Sequence, residues 1–110
     1  MIIYNKLVRD RIPEIIFKQK KKPFFRKIED KKEIIRLLEE KLLEEFEEFK
    51  KEKNAEELAD LLEVIFSIGK YLGFSQAHLL KVMREKGQKR GRFNDGLFLE
   101  SVDEGSLPNG

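Results

Sequence analysis

The feature that most constrains this fold is a pair of apolar helical stripes on either side of a short polar turn. Within residues 31–51, the apolar side chains repeat with the period of an α-helix and fall within an arc of about 80°. They are Ile35, Leu38, Leu42, Phe46 and Phe49. A second stripe in residues 54–72 contains Leu58, Leu61, Leu62, Ile65 and Leu72. Because the connection around residues 52–53 is so short, we expect the two helices to pack antiparallel.

Helix start signals divide the chain into four predicted helices. Proline is tolerated in a first helical turn, and Asp, Asn and Ser are preferred N-caps, especially with Glu three residues later. These signals are Pro13, Asp30 with Glu33, Asn54 with Glu57, and Ser75. The predicted helices run from residues 11–13 to about 19, from 31 to about 51, from 54 to about 72 and from 75 to about 90, and Gly73 is typical of a helix end.

Two short segments outside the helices have the alternating pattern of strands. They are FFRKIED, residues 24–30, and GLFLESV, residues 96–102, and we expect them to pair. The predicted fold is therefore all-α: a bundle of about four helices with a minor two-stranded β element. It forms one domain over residues 1–102, followed by a flexible tail at 103–110.

Composition excludes several classes of protein. The 110 residues are 40% charged and 40% hydrophobic and include no cysteine, so disulfides, thiolate metal sites and cysteine nucleophiles are excluded. No apolar run approaches the roughly 20 residues of a membrane span. The opening MIIYNKLVRDR lacks the apolar region of a signal peptide. We expect a cytoplasmic protein without a membrane partner.

The charges are distributed as an acidic middle between two basic ends. Residues 1–27 carry nine Lys or Arg and two acids, residues 39–63 carry eleven acids and four Lys, and residues 81–92 carry six Lys or Arg and one acid. A nucleic-acid-binding protein more often presents one basic face without a dense acidic block. This pattern instead suits a divalent cation together with a phosphate-bearing ligand.

The acidic middle contains two mirrored pairs of carboxylates. Glu48 and Glu57 lie at equal distances from the turn, and so do Glu45 and Asp60. If the helices are antiparallel, the two residues of each pair lie at the same level along the helix axes. The two levels are about 4.5 Å apart. Four converging carboxylates repel unless a hard cation lies between them, and Mg²⁺ prefers such oxygen ligands. We therefore predict a Mg²⁺ site, which would also suit Mn²⁺ in place of Mg²⁺.

A simpler interpretation of the same acids stays open at this point. The helical wheel places Glu44 and Glu47 toward solvent, and acids on helix surfaces are common. Glu57 would then serve only the capping box of Asn54, while Glu45 and Glu48 pair with nearby lysines.

Several stretches resemble the MazG-like nucleotide pyrophosphohydrolases, an all-α superfamily that includes dimeric dUTPases and phosphoribosyl-ATP pyrophosphohydrolase. The motif is E-x-x-E within KLLEEFEE (41–48), followed by E-x-x-D within EELADLLEVI (56–65). YNKLVRDRIPEII (4–16) and K-x-x-x-R-G-x-F (86–93) are similar to a subgroup described as phosphoribosyl-ATP pyrophosphohydrolase-like. Only eight residues separate Glu48 from Glu57, fewer than in many members, which leaves less loop to shape a nucleobase pocket.

The resemblance implies a Mg²⁺-dependent enzyme. Water would attack a nucleoside triphosphate, or a phosphoribosyl-ATP-like nucleotide, between the α and β phosphates, releasing a monophosphate and pyrophosphate. The implied metal ligands are Glu45, Glu48, Glu57 and Asp60, and Glu48 is our choice of general base because the wheel leaves it open to water. The candidate phosphate-binding residues are Lys6, Arg9, Lys86 and Arg90, although Arg9 and Asp10 would also suit a structural salt bridge.

Two other functions are alternatives. One is a helical interaction module without catalysis, and the other is a nucleic-acid-binding protein that uses KQKKK and RGRF. The apolar circumference of residues 54–72 predicts a homodimer or a larger homo-oligomer, since one layer of neighbours would hardly cover it. No residue favours one nucleobase, so a canonical triphosphate, a modified one and phosphoribosyl-ATP all stay candidate substrates.

Overall fold

A computed structural model describes residues 1–105 of the chain, and within them it contains four α-helices and no strand. The helices are α1 (Ile12–Lys18), α2 (Lys31–Lys51), α3 (Ala55–Tyr71) and α4 (Gln76–Arg90). The all-α prediction is confirmed, and every helix lies within about two residues of its predicted bounds.

Side-chain caps explain where three of the helices begin. The side chain of Asp30 accepts a hydrogen bond from the backbone N–H of Lys32 at 3.2 Å, which satisfies one of the free donors of α2. Asn54 accepts from the N–H of Glu57, and Ser75 accepts from the N–H of His78. These short polar residues therefore set the start of α2, α3 and α4, as the sequence predicts.

Within residues 1–105 the four helices do not form the predicted bundle: they pack as two pairs in series, and α1 packs on no other helix. Helix α2 packs on α3 after a three-residue connection, and α3 packs on α4. The second contact is close at Gly69, where an added Cβ would lie 2.7 Å from Cδ1 of Leu79. Leu38 and Val64 are the buried apolar side chains of the described chain. The core is therefore a thin seam between α2 and α3.

The predicted two-stranded element is not formed within the described residues. Segments 24–29 and 96–102 are non-helical, and their backbones make no hydrogen bonds with each other. The prediction is wrong for the single chain, because the first segment leads into the start of α2 whereas the second follows the end of α4, which packs on α3 alone. Of the predicted tail, residues 103–105 are exposed and non-helical, and residues 106–110 lie outside the described part.

The chain is elongated, with extents of 74 × 32 × 22 Å and a radius of gyration of 20.3 Å. A compact domain of this length would have a radius of gyration of about 13 Å. The accessible surface is 10,598 Å², whereas a compact monomer of this mass exposes about 6,400 Å². Much of the apolar surface is consequently left uncovered by the chain itself.

Within residues 1–105, no helix has both the length and the apolar character that a membrane crossing requires.

Candidate metal centre

Three carboxylates from two helices converge at the end of the α2–α3 pair nearest the turn. Oxygens of Glu45, Glu57 and Asp60 all lie within 4.8 Å of one another, and each side chain is partly buried. Glu45 comes from α2, and the other two come from successive turns of α3. The antiparallel packing places them at similar heights, as the mirrored spacing predicts.

The electrostatics of the cluster are those of crowded like charges. Partial burial, followed by the charges of Asp60, Glu45, Glu48 and Glu52, raises the pKa of Glu57. Glu57 forms no ion pair among the described residues. Its ionised form is therefore disfavoured here, and a cation would relieve that cost.

Glu45 already has a cationic neighbour within its own helix. The ammonium of Lys41 lies 3.5 Å from a carboxylate oxygen of Glu45 and equally far from Glu44, and Lys41 is largely buried. Lys41 was not among the predicted site residues, although pairing of Glu45 with a nearby lysine was one interpretation of the sequence. The signal was present, because residues four apart on a helix lie on the same face and an acid–base pair at that spacing is favourable.

The structure places Glu48 beside the cluster rather than inside it. Its side chain is about half exposed and lies 3.7 Å from Lys51. Its charge still acts on Glu57, so the two carboxylates are neighbours. Glu48 is thus more open to water than Glu45, in line with the helical wheel, but it is not one of the three converging acids.

The two acids predicted to face solvent differ from each other. Glu47 is 64% exposed and pairs with Lys50 at 3.7 Å. Glu44 instead accepts a hydrogen bond from Lys6 at 3.2 Å and lies near Lys41. Burial alone would raise the pKa of Glu44, but the hydrogen bond from Lys6 and the nearby ammonium charges lower it. Glu44 is therefore only partly solvated, with 39% of its side chain accessible, because the N-terminal segment covers part of this side of α2.

The N-terminal segment brings two of the predicted phosphate-binding residues to the acidic helices. A guanidinium nitrogen of Arg9 donates a hydrogen bond to Asp60 at 2.7 Å across 51 residues of sequence. Arg9 therefore pairs with Asp60 and not with Asp10. Lys6 makes the corresponding contact with Glu44. Neither partner was predictable from local spacing, since both contacts depend on the path of residues 1–11.

The other two predicted phosphate-binding residues are not brought to the cluster. Lys86 and Arg90 lie on α4, which packs on α3 alone, and both are exposed. Within residues 1–105, no hydrogen bond or ion pair joins either residue to the carboxylates.

The single chain offers little enclosed space beside the carboxylates. A cavity of about 60 Å³ lies between the N-terminal segment and α2, and it is lined by Lys6, Leu7, Leu37, Glu40, Lys41 and Glu44. Sites for small molecules are usually about 300–1,000 Å³. A more open hollow of about 440 Å³ lies between α1 and the segment at residues 23–25, and none of the predicted site residues lines it.

Comparisons of the chain with protein families, with curated proteins and with solved structures found no match.

Proposed function

We propose that the protein is a Mg²⁺-dependent nucleotide pyrophosphohydrolase that cleaves between the α and β phosphates. The observation that supports this most is the convergence of Glu45, Glu57 and Asp60 within 4.8 Å, next to the guanidinium of Arg9. Carboxylates for a cation and an arginine for a phosphate are the two kinds of group that a nucleotide–metal complex requires.

The donor set fits a hard divalent cation. It is made only of carboxylate oxygens, which Mg²⁺ and Mn²⁺ both accept, and it contains no soft ligand. Glu45, Glu57 and Asp60 would hold the ion, and Glu48, which lies outside this group of three, acts on it through the charge that it exerts on Glu57. When bound, the ion would offset phosphate charge and make a water more acidic.

In the proposed reaction, the oxygen of a water molecule attacks the α phosphorus and the bond from that phosphorus to the bridging oxygen breaks. Pyrophosphate leaves with the bridging oxygen. Glu48 is our candidate for the base that accepts the proton of the water, because it borders the cluster and is half exposed. Its contact with Lys51 is long and solvated, so it holds the carboxylate only weakly.

Arg9 is the best placed of the candidate phosphate-binding groups. It contacts Asp60 directly, so an anionic ligand held at the carboxylates lies within its reach. Its planar guanidinium suits two parallel hydrogen bonds to a phosphate. Lys6 lies on the same segment. Lys86 and Arg90 would act only if a second copy, or a change in α4, brings them nearer.

We further propose that the active form is a homodimer. One face of α3 exposes Leu58, Leu62, Ile65 and Leu72 by 43–51% each. The chain as a whole exposes far more surface than a compact monomer. A stable interface buries about 800 Å² on each partner, which is well within this excess. A second copy covering α3 would also enclose the site beside the carboxylates.

Pyrophosphate release from a panel of nucleotides, with and without Mg²⁺, tests the proposed activity. The panel includes canonical triphosphates, modified triphosphates and phosphoribosyl-ATP. We expect release from at least one nucleotide, dependent on the ion and abolished by Asp60→Asn or Glu48→Gln. Glu47→Gln is the matched control, because it removes a carboxylate from the solvated side of the same helix as Glu48.

A non-catalytic interaction module is the second candidate, and the exposed apolar face of α3 favours it. The acids would then serve only the contacts seen with Lys6, Arg9 and Lys41. This candidate predicts no hydrolysis and no response of stability to Mg²⁺. Sedimentation of the wild type and Leu62→Asp reports on the dimer separately from either activity.

A further inference from the structure

Two segments of the chain, non-helical apart from Lys18 at the end of α1, have complementary composition. The C-terminal arm, residues 93–104, carries four acids and no Lys or Arg. The basic segment, residues 18–28, carries six Lys or Arg and no acid. Both contain large apolar side chains, so the two segments match in hydrophobicity and are opposite in charge.

Most of the backbone of each segment is left without a hydrogen-bond partner among the described residues. Leu97, Phe98 and Leu99 of the C-terminal arm are 78–90% exposed, and Phe24 and Phe25 of the basic segment are at least 70% exposed. Within residues 1–105, no backbone hydrogen bond is made by residues 22–29 or 92–104. Unpaired extended backbone with apolar side chains is a template for strand pairing with another chain.

Charge pairing within the chain leaves much of both segments available. The basic segment forms ion pairs from Lys18 to Glu14 and from Arg26 to Glu33, both on exposed side chains. The acids of the C-terminal arm form no ion pair among the described residues. Opposite charges on facing strands stabilise a pair, and like charges oppose it.

We propose that the C-terminal arm of one copy adds as a strand to the basic segment of a second copy, and reciprocally. This pairing rests on the homodimer proposed above and specifies one of its contacts. The five exposed apolar side chains expose roughly 150 Å² each, so two symmetric contacts bring together about 1,500 Å² of apolar surface, an upper bound on the area buried because successive side chains of a strand point to opposite faces. That is close to the total of a standard stable interface, about 1,600 Å².

Pairing between copies is favoured over pairing within one chain by the arrangement of the helices. The basic segment leads into the start of α2, whereas the C-terminal arm follows the end of α4. Helix α4 packs on α3 and does not pack on α1 or α2. Helix α4 has fifteen residues, so the C-terminal arm begins about 22 Å from the start of α4 in an elongated molecule.

A mixed dimer tests the proposal, because the chain has no cysteine of its own. A nitroxide is attached to Ser101→Cys in chains without isotope, and these are mixed with ¹⁵N-labelled wild-type chains. In the NMR spectrum of the ¹⁵N chain, we expect the amide signals of residues 24–28 to lose most of their intensity, because the nitroxide of the partner copy lies close to them. Amides of the α2–α3 turn at residues 52–54, about 30 Å further along α2, serve as the internal control.

Charge reversal provides the matched variants. Glu100→Lys in the nitroxide chain should restore intensity at residues 24–28, because it places like charges on the facing segments. Adding Lys27→Glu to the ¹⁵N chain should bring the broadening back. Neither substitution touches the acidic cluster, so pyrophosphate release reports separately on the proposed activity.

The outcomes separate this proposal from the dimer on which it rests. A dimer by sedimentation without broadening at residues 24–28 would overturn the arm pairing and leave the dimer standing. A second sample carries the nitroxide and the ¹⁵N label on the same chain and is diluted in unlabelled protein. If the amide signals of residues 24–28 broaden only in that sample, the pairing is within one chain and the proposed pairing between copies is overturned. A monomer at all concentrations would overturn both, while the activity assay would still judge the enzyme.

Discussion

Glu45→Gln is the substitution that tests the acidic cluster most directly. Glu45 is the least exposed of the acids that form ion pairs, with 14% of its side chain accessible, and the change removes one charge while keeping the size of the side chain. In the variant, the ammonium of Lys41 still has the carboxylate of Glu44 at 3.5 Å, so it keeps one ion-pair partner. Without Mg²⁺, loss of repulsion toward Glu57 should keep the melting temperature unchanged or raise it slightly.

With Mg²⁺ the expected effect is large. An ion present at 100 times its dissociation constant stabilises the folded state by about 2.7 kcal/mol. For a domain of this size that corresponds to a rise of roughly 11–22 °C in melting temperature. If loss of one ligand weakens binding a hundredfold, the same Mg²⁺ concentration contributes only about 0.4 kcal/mol, or roughly 2–3 °C.

The assay is a thermal melt over a Mg²⁺ titration for the wild type, Glu45→Gln and Glu47→Gln. Glu47 lies on the same helix, undergoes the same change of charge and is paired only with the exposed Lys50. The control should follow the wild-type curve. Equal responses of the two variants, or no response of the wild type to Mg²⁺, would show that the carboxylates are a solvated face and would refute the metal site.

Three further predictions concern the pH response, the N-terminal segment and the helix packing. Because the pKa of Glu57 is raised in the fold, its ionised form destabilises the protein at neutral pH. In thermal melts without metal, Glu57→Gln should therefore be more stable than the wild type at pH 7. The difference should vanish as the pH falls below the usual carboxylate range, where Glu57 is protonated in both the folded and the unfolded state. Arg9→Ala should lower kcat/KM at least about tenfold in steady-state assays. Its melting temperature should change by only a few degrees, since the exposed pair with Asp60 contributes at most about 1 kcal/mol. Gly69→Ala should destabilise by at most about 1 kcal/mol in chemical denaturation, because the new methyl group meets the movable Cδ1 of Leu79 at 2.7 Å and the fixed carbonyl oxygen of Phe74 at 3.3 Å, while alanine favours the helix. In a Leu79→Ala background the same change should cost less.

Helix positions were predictable because their signals are local. Asp30, Asn54 and Ser75 each cap the helix that they were predicted to begin, and their side chains need only the next two or three residues to do so. The mirrored spacing about a short turn also predicted that acids of α2 and α3 would meet, since an antiparallel pair fixes the height of each residue.

The cluster was less predictable in its membership than in its location. Spacing alone treats Glu45 and Glu48 alike, but the rotation of α2 against α3 brings Glu45 to Asp60 and leaves Glu48 half exposed. The local pairing of Lys41 with Glu45 was within reach of the sequence through the four-residue spacing.

The sequence by itself determined the four helices, their caps and the meeting of two acidic helix faces, because each depends on interactions within a few residues or across one short turn. Only the tertiary structure decided that Arg9 pairs with Asp60 and that the backbones of residues 24–29 and 96–102 do not pair with each other in the single chain. Those outcomes depend on the path of segments that are remote in sequence. Neither helical period nor capping chemistry constrains that path, whereas packing between elements does.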